Sequence, residues 1–369
     1  MRVLIDAVNV TAAGPLGVAS SLIPELLMRR ALRCHGLVAE GVLSALDWRE
    51  RIRVVGARRA GWSNRAQRLL DVGWRLAATA RQFDVDAILT LGDIGAIRGT
   101  TPSVLFVHNA LLLRDEEGVS ARVQREVFAR AVARATSVIV QTPIMRAALS
   151  REHDVDAARI HVVSHPSPAA TSLGRIPPAL DDASGSDRFR LLYLAAYYPH
   201  KRHDLLPGIA RALRDVGRSK DVVIYITLPE CPQTAALLST VMAETGDLVV
   251  NLGRLSQEDA GAALSAVDGL LHLSDAESYG MTLYEALKAG RRIIAPDVPY
   301  ATWACGGAAT FFSAGNAEAA ATAIVELLDG RGDASRLTRE RETALRKFLP
   351  TWADVAKAFE DTMRSAIPR

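Results

Sequence analysis

The sequence predicts an α/β protein of two domains built on parallel strands, and three observations support this fold class. Residues 269–296 contain an apolar run, a turn, a helical pattern and a second apolar run, which is the order of a parallel βαβ unit. One series of strand, turn and helix patterns begins at Met1, and a second series begins at Phe189. With 369 residues, the chain is long enough for two full hydrophobic cores.

Composition fits a globular protein, since the hydrophobic fraction is 49% and the mean hydropathy is +0.11. No apolar run approaches the roughly 18–20 residues that a membrane span needs. Residues 1–6 read as a first strand and not as a signal peptide, so we expect a cytoplasmic protein. Cys34, Cys231 and Cys305 are far apart in the sequence, and we expect them to be buried thiols in a reducing compartment.

The charge distribution is more informative than the total. A net charge of +3 gives no indication of nucleic acid as a partner. Residues 45–81, however, contain nine arginines against three acidic residues, with Trp48, Trp62 and Trp74 among them. This basic segment predicts either peripheral contact with an anionic membrane, at the inner face, or an ordinary surface helix over 66–80 with extended arginine side chains. Both interpretations stay open at this point.

The first half of the chain reads as alternating buried strands and helices. Gly14 and Gly17 fall in the loop after the first strand, where α/β folds bring backbone amides to a ligand, although their spacing is not a dinucleotide fingerprint. His108 directly follows another strand, at the end where such folds bind ligands. The predicted strands are 3–7, 87–91, 103–107, 137–140 and 160–163, and the predicted helices are 18–27 and 119–135.

The second half repeats this alternation after a stretch rich in proline, glycine and serine from 165 to 187. We therefore divide the chain into an N-terminal domain 1–170, a linker 171–187, a second domain 188–348 and a C-terminal helix 349–369. The predicted strands are 189–194, 222–228, 248–255, 269–273 and 292–296, and the predicted helices are 258–266, 317–328 and 352–366. Ser256 is a good N-cap for the first of these helices.

The turn of the βαβ unit is the strongest candidate site. It lies at a helix N-terminus, where unpaired N–H groups and the helix dipole favour phosphate, and Gly280 lets the backbone approach a ligand closely. Glu277 lies in the turn and Glu285 one turn into the helix, so a diphosphate could bind between two acids. Lys201 precedes a second helix and could bind phosphate by its charge. The alternative to ligand binding is a purely structural role, in which the two glutamates cap the helix or face solvent and Lys201 lies in a solvated basic turn.

Glu277 and Glu285 with the intervening Gly280, followed by Ala286-Leu287-x-Ala289-Gly290, resemble the Glu-x7-Glu signature of retaining glycosyltransferases of family 4. Other segments match in the same order, and the resemblance is most specific over 190–312. It implies the GT-B fold. In that fold, two Rossmann-like domains with doubly wound parallel sheets face each other across a cleft, and a C-terminal helix crosses back to the first domain.

The resemblance also implies the activity: transfer of a sugar from a nucleoside-diphosphate donor to a hydroxyl acceptor, with retention and without a metal or other cofactor, in cell-surface polysaccharide or glycolipid assembly. Lys201 aligns with a diphosphate-binding lysine. Glu285 would hold the ribose, Glu277 would contact the donor sugar, and His108 would contact the sugar or acceptor. The remaining expected donor contacts are the turn residues Ser278, Tyr279, Gly280, Met281, Thr282 and Leu283, then Arg202, Arg254 and Leu255, and Gly14 and Gly17.

Two departures from the family pattern keep alternatives open. Ala196 stands where the family usually has an arginine, so Arg202 or Arg254 would have to supply that charge. Pro15 and Leu16 separate two glycines that are usually adjacent. These departures support a non-catalytic nucleotide-binding scaffold as a competing hypothesis, and a nucleotide-sugar epimerase on the same fold is a second alternative.

Overall fold

The computed structural model describes residues 1–10, 13–39, 53–58, 74–109, 119–167, 174–181, 187–330 and 334–368. The chain divides into two compact units. The first contains residues 1–168 together with 348–369, and the second contains residues 169–347. Each unit is built on one parallel β-sheet.

The first unit has a seven-stranded sheet in the order β3-β2-β1-β4-β5-β6-β7, and its neighbouring strands are parallel. From β1 to β3, each new strand is added on one side of the sheet, and from β4 to β7 each is added on the other side. The sheet is therefore doubly wound, and its topological switch point lies between β1 and β4. Its strands are β1 Arg2–Ala7, β2 Arg33–Ala39, β3 Arg53–Arg58, β4 Ala87–Thr90, β5 Ser103–Val107, β6 Ser137–Val140 and β7 Ile160–Val162.

The second unit repeats this winding with six parallel strands in the order β10-β9-β8-β11-β12-β13. The switch point lies between β8 and β11. Its strands are β8 Phe189–Tyr193, β9 Val222–Ile226, β10 Val249–Asn251, β11 Gly269–Leu271, β12 Arg292–Pro296 and β13 Thr310–Phe312. The two doubly wound sheets confirm the predicted fold class.

The helices connect the strands and bury their apolar faces on the sheets. Strands such as β4, β5 and β9 are buried along their whole length, as expected for parallel sheets that have helices on both faces. In chain order the helices are α1 Ala13–Met28, α2 Leu76–Gln82, α3 Val119–Arg134, α4 Pro143–His153, α5 Pro178–Asp181, α6 Leu206–Asp215, α7 Ala235–Thr245, α8 Gln257–Ala266, α9 Met281–Lys288, α10 Pro299–Cys305, α11 Ala317–Leu328, α12 Ala334–Leu345 and α13 Trp352–Ala366. Within the described ranges, no helix is long and apolar enough to span a membrane.

The C-terminal helix α13 belongs to the first unit, as predicted. Phe359 is buried and packs edge to face on Phe106 of β5, with ring centroids 5.3 Å apart. Glu360 is also buried and forms an ion pair with Arg29, the residue that follows α1. A second arginine, Arg364, lies 2.7 Å from the same carboxylate. These contacts hold the last helix against the N-terminal sheet and helix.

Three expectations need correction or lie outside the described residues. The helix α1 begins at Ala13, so Gly14 and Gly17 are helical instead of lying in a loop. Pro15 is compatible with this start because a first-turn N–H has no helical partner to lose. Cys231 is partly exposed, while the other two cysteines are buried as expected.

The basic segment 45–81 lies largely outside the described residues. Its described parts are β3 and residues 74–81, which include most of α2. Leu76, Ala77 and Ala80 of that helix are buried, and Trp74 is 62% exposed, with the Arg98 guanidinium carbon 4.6 Å from its ring centroid. The strands β2 and β3 were not predicted, because arginines and a histidine interrupt their apolar pattern at one edge of the sheet.

Candidate functional site

Two segments meet at the carboxyl ends of neighbouring strands of the second sheet. One follows β8 and contains Lys201, and the other follows β11 and contains Glu277. The Asp275 N–H donates to the carbonyl of His200 at 3.0 Å, and the Ser274 hydroxyl lies 3.1 Å from the same carbonyl. Because β8 and β11 flank the switch point of the sheet, these segments lie where doubly wound folds bind ligands.

Lys201 and Glu277 form an ion pair at the centre of this region. The Lys201 ammonium donates a hydrogen bond to Oε1 of Glu277, and the two side chains are only 18% and 17% exposed. Burial alone would raise the pKa of Glu277. The Lys201 charge, together with hydrogen bonds from Lys201 and Ser274, outweighs burial and lowers that pKa below its ordinary value. The site therefore holds an ionised carboxylate beside an ammonium group, and it brings two predicted residues together.

Helix α9 begins directly after this turn. Gly280 is its N-cap, with φ of 75°, and a Cβ atom there would lie 3.1 Å from Cδ1 of Leu283. The N–H of Leu283 donates to the Gly280 carbonyl at 2.9 Å, so this predicted donor contact is already used inside the helix. The N–H groups of Met281 and Thr282 precede that first hydrogen bond and lie at the positive end of the helix dipole. Of the predicted amides, these two are the best placed for an anion.

A buried histidine, His272, connects α9 with α10. Its Nδ1 lies 3.2 Å from the Thr282 hydroxyl, and its Nε2 lies 3.0 Å from the hydroxyl of Tyr300. Tyr300 donates its own proton to the carbonyl of Ser274, so its oxygen must accept from Nε2–H of His272. That fixes the neutral tautomer with the proton on Nε2, and Nδ1 accepts from Thr282. Burial lowers the pKa of His272 to about 4, so the ring stays neutral at pH 7.

The other residues of the predicted turn are close to this network. Tyr279 is buried, with its ring centroid 6.3 Å from that of Trp303, while Ser278 is half-buried. Glu285 is half-buried in the second turn of α9, about 7.5 Å along the axis from Gly280 at 1.5 Å per residue. Both predicted acids therefore belong to the turn and helix that follow β11.

Arg202 does not supply a free cation. It has a left-handed backbone conformation, with φ of 54°, and its guanidinium group lies between two carboxylates. The distances are 2.9 Å to Asp204 and 3.5 Å to Asp275. The hydrogen bond to Asp204 is the largest cause that raises the pKa of Arg202. Two acids already balance its charge, so the arrangement favours a role in holding the Lys201 segment.

Arg254 and Leu255 lie in the turn between β10 and α8. Asn251, at the end of β10, shapes this turn: its side chain accepts from the N–H groups of Leu228 and Gly253 and donates to the Leu228 carbonyl, at 3.0–3.2 Å. Arg254 is exposed and Leu255 is half-buried. The next residue caps α8 as predicted, with the hydroxyl of Ser256 accepting from the Asp259 N–H at 3.1 Å.

His108, Gly14 and Gly17 belong to the first unit. His108 follows β5, and its Nε2 lies 3.2 Å from Oδ2 of Asp93. The other Asp93 oxygen accepts from the N–H groups of His108 and Asn109, at 2.7 and 3.0 Å. Asp93 thus orients the imidazole and the backbone at the end of β5. Gly14 is exposed in the first turn of α1, and Gly17 is half-buried one turn later.

Sequence reasoning missed His272, Tyr300 and Asp93. The signal for His272 was a single polar residue within the buried run 269–273, and the signal for Asp93 was its position between Gly92 and Gly95. Tyr300 gave no signal, because its partner lies 28 residues earlier in the chain. In the described parts of the chain, no group of three or more His, Cys, Asp or Glu side chains could hold a metal ion.

Two family models match the sequence. The model of Glycosyltransferase Family 4 matches residues 27–166. The model of Glycosyl transferases group 1 matches residues 188–330, which include Lys201, Glu277 and Glu285. A search of curated proteins found no match.

Solved structures are similar over nearly the whole chain. HepE from Anabaena in complex with UDP and glucose has 15% sequence identity and a TM-score of 0.71, with 99% of this chain and 100% of that chain covered. A glycosyltransferase from Rickettsia africae has 14% identity and a TM-score of 0.72, with 100% and 99% covered. WaaG, a glycosyltransferase involved in lipopolysaccharide biosynthesis, has 16% identity and a TM-score of 0.68, with 99% and 98% covered. At these identities, the similarity establishes a shared fold.

Proposed function

The chain belongs to the group 1 glycosyltransferases of the GT-B type, and we propose that it transfers a sugar with retention from a nucleoside-diphosphate donor to a hydroxyl acceptor. The observation that carries this proposal is the ion pair of Lys201 and Glu277 beside the start of α9. It combines one cation and two helix N-terminal amides for a diphosphate with one carboxylate for the donor sugar. The UDP and UDP-glucose found in the HepE structures make UDP the first nucleotide to test.

The proposed reaction breaks the bond between the anomeric carbon and the diphosphate oxygen, and the electron pair stays on that oxygen. The acceptor oxygen forms the new bond on the same face, and its proton passes to the departing phosphate oxygen. Charge therefore grows on the diphosphate as the bond breaks. Lys201 and the N–H groups of Met281 and Thr282 would stabilise this charge, and one such preorganised donor is typically worth about 3–4 kcal/mol of barrier.

We propose that these groups act in place of a divalent cation. Lys201 would move from Glu277 towards the diphosphate as the donor binds, because two negative charges would then compete for one ammonium group. The ionised carboxylate of Glu277 would support positive charge at the anomeric carbon, and Glu285 would accept hydrogen bonds from the ribose hydroxyls. His108, oriented by Asp93, would contact the sugar or the acceptor.

The biological role proposed here is assembly of cell-surface polysaccharide or glycolipid in the cytoplasm. The structural similarity to WaaG supports this choice of acceptor class. The arginine and tryptophan content of residues 45–81 supports peripheral contact with an anionic membrane, which would bring the enzyme to a lipid-linked acceptor.

A thermal-shift panel of UDP, GDP, ADP and TDP tests donor recognition. One nucleotide at about 100 times its dissociation constant should add about 2.7 kcal/mol to the free energy of unfolding. The shift should shrink in Glu285→Ala and persist in Glu326→Gln, which changes an exposed acid on α11. If none of the four nucleotides raises the melting temperature, the proposed donor site is wrong.

A transfer assay then separates catalysis from binding. With the recognised nucleotide sugar and an acceptor extract, NMR of the product should show the anomeric configuration of the donor, and chelator should leave the rate unchanged. One observation favours a non-catalytic scaffold as the second candidate. Ala196 carries no charge, and the charge of Arg202 is already balanced by two carboxylates. Lys201 is therefore the main cation for the leaving diphosphate. Nucleotide binding without transfer to any acceptor in the extract would support that candidate.

A further inference from the structure

The second unit contains a cavity of about 190 Å³ that is separate from the candidate donor site. Its wall includes Arg292 and Thr310, the first residues of β12 and β13, and Leu287 near the C-terminal end of α9. The candidate donor site lies at the N-terminal end of α9 and at the carboxyl ends of the strands. The cavity therefore lies at the opposite edge of the same sheet.

Three arginines line this cavity, and none of the described residues that line it is acidic. Arg291 donates to two neutral acceptors, the carbonyls of Ala289 and Val267, at 2.9 and 2.8 Å. Among the residues that the structure describes, no carboxylate pairs with the guanidinium group of Arg292 or Arg341. All three arginines are half-buried. Their charges are thus gathered in one small space, and the described part of the chain places no carboxylate against Arg292 or Arg341 there.

The position of Arg341 is set by its neighbour on α9. Gly290 has φ of 68°, and a Cβ atom built there would lie 2.5 Å from Nη1 of Arg341. The missing side chain therefore leaves the space in which the guanidinium group of Arg341 reaches from α12 over the end of α9. The same cavity wall holds the backbone or side chains of Thr310 and Thr338, which add polar surface.

This combination has the chemistry of an oxyanion site. Like charges that are partly removed from water repel one another, and an anion between them relieves that repulsion. Guanidinium groups bind phosphate through two parallel N–H donors, which a monatomic anion cannot accept in the same way. The volume is below the roughly 300 Å³ at which pockets for drug-sized ligands begin, so it fits a small ligand.

We propose that this cavity is a binding site for a small phosphate-type oxyanion, either inorganic phosphate or the phosphate group of a small monoester. Arg292 and Arg341 are the main cationic contacts. Arg291 already has two carbonyl partners and contributes charge to the wall. The site is independent of the donor site, because its residues lie at the other end of α9.

Calorimetric titration tests the proposal at constant ionic strength, with inorganic phosphate in one arm and glycerol 3-phosphate in the other. The ligand with the lower dissociation constant shows whether the site prefers free phosphate or a phosphate monoester. Arg292→Gln and Arg341→Gln, made separately, should each weaken phosphate binding by about tenfold or more, since each removes a charge-assisted hydrogen bond. The matched control is Arg336→Gln, which removes an exposed charge from the same helix α12 and should leave the affinity unchanged.

A variant of the donor site tests whether the phosphate binds there instead. Lys201→Ala should retain phosphate binding to the arginine-lined cavity. Loss of binding in Lys201→Ala would overturn the proposal, as would equal losses in Arg336→Gln and Arg341→Gln. Chloride that gives the same heat of binding as phosphate at the same ionic strength would also overturn it, because the effect would then be general screening.

Discussion

The Nδ1 atom of His272 and the hydroxyl of Thr282 lie 3.2 Å apart, and this contact links the core of the sheet to the first turn of α9. His272 is fully buried and receives no proton at neutral pH, so Nδ1 can accept from Thr282 only while Nε2–H donates to Tyr300. Tyr300 donates its proton to the Ser274 carbonyl, and this bond fixes which atom donates in each of the two hydrogen bonds of His272. His272 is therefore a positioning residue for the turn that carries the proposed diphosphate amides.

Replacement of His272 should separate these two contacts. In His272→Asn, the side-chain oxygen can take the place of Nδ1 and still accept from Thr282. In His272→Gln, the longer amide reaches towards Tyr300 and the Thr282 contact is lost. We expect the glutamine variant to raise the donor KM by about tenfold, the cost of one hydrogen bond of about 1.4 kcal/mol, while kcat changes little.

Steady-state kinetics with the recognised donor measure this difference. The asparagine variant serves as the control, because it also loses the imidazole but retains an acceptor for Thr282. Equal donor KM values in the two variants would show that Thr282 is not positioned by His272.

Lys201 and Glu277 should respond differently to neutralisation. Lys201→Met removes the cation for the leaving diphosphate, so we expect kcat to fall by about 100-fold or more and donor binding to weaken. Glu277→Gln releases Lys201 from its ion pair, so nucleoside-diphosphate binding should be retained or tightened while kcat falls. Calorimetry with the nucleotide and turnover with the donor provide the two readouts. Parallel loss of nucleotide binding in both variants would contradict the separate roles.

Glu285 should act on binding more than on chemistry. Its proposed hydrogen bonds to the ribose are present before and during the reaction, so their loss weakens ground state and transition state alike. Glu285→Gln should raise the nucleotide Kd by about 10-fold or more, since hydrogen bonds to charged groups contribute about 1.5–3 kcal/mol. Titration of the nucleotide measures this change, with the exposed Glu326→Gln as control. An unchanged Kd in Glu285→Gln would remove Glu285 from the site.

The adjacency of Lys201 and Glu277 could be predicted from sequence. Each follows an apolar run that reads as a strand, and the carboxyl ends of parallel strands meet at one edge of a sheet. The predicted bounds of β5, β6, β12, α11 and α13 are also correct, because their apolar patterns end at clear turn or capping residues. These features depend on short stretches of sequence, which is why local patterns suffice for them.

The partners that hold the site could not be predicted in the same way. Tyr300 lies in α10, and α9 and β12 separate it from His272 in the sequence. The two residues meet only in the folded protein, so no local sequence pattern predicts their contact. Arg202 looked like a free cation beside Lys201, but Asp275 approaches it from the segment after β11. The early start of α1 at Ala13 was missed because its first five residues contain two glycines and a proline, which usually indicate a loop.

Acid should destabilise the protein through its buried histidines. The pKa values of His165, His203 and His272 are each lowered to about 4, chiefly by burial. In the unfolded chain a histidine has a pKa of about 6.5, so between pH 6.5 and 4 the unfolded state binds more protons than the folded state. The stability that these residues contribute is therefore present above pH 6.5 and is lost as the pH falls towards 4.

Unfolding in urea at pH 7.5, 6.5, 5.5 and 5.0 measures this loss. The free energy of unfolding should fall with decreasing pH, by up to about 1.4 kcal/mol per pH unit for each histidine. Histidine is the only side chain whose ordinary pKa lies in this window, and the pKa of Glu277 is lowered away from it. In His272→Gln the pH dependence should become shallower, because one titrating group is removed. A free energy that stays constant from pH 7.5 to 5.0 would show that these histidines are protonated as readily in the folded state as in the unfolded chain.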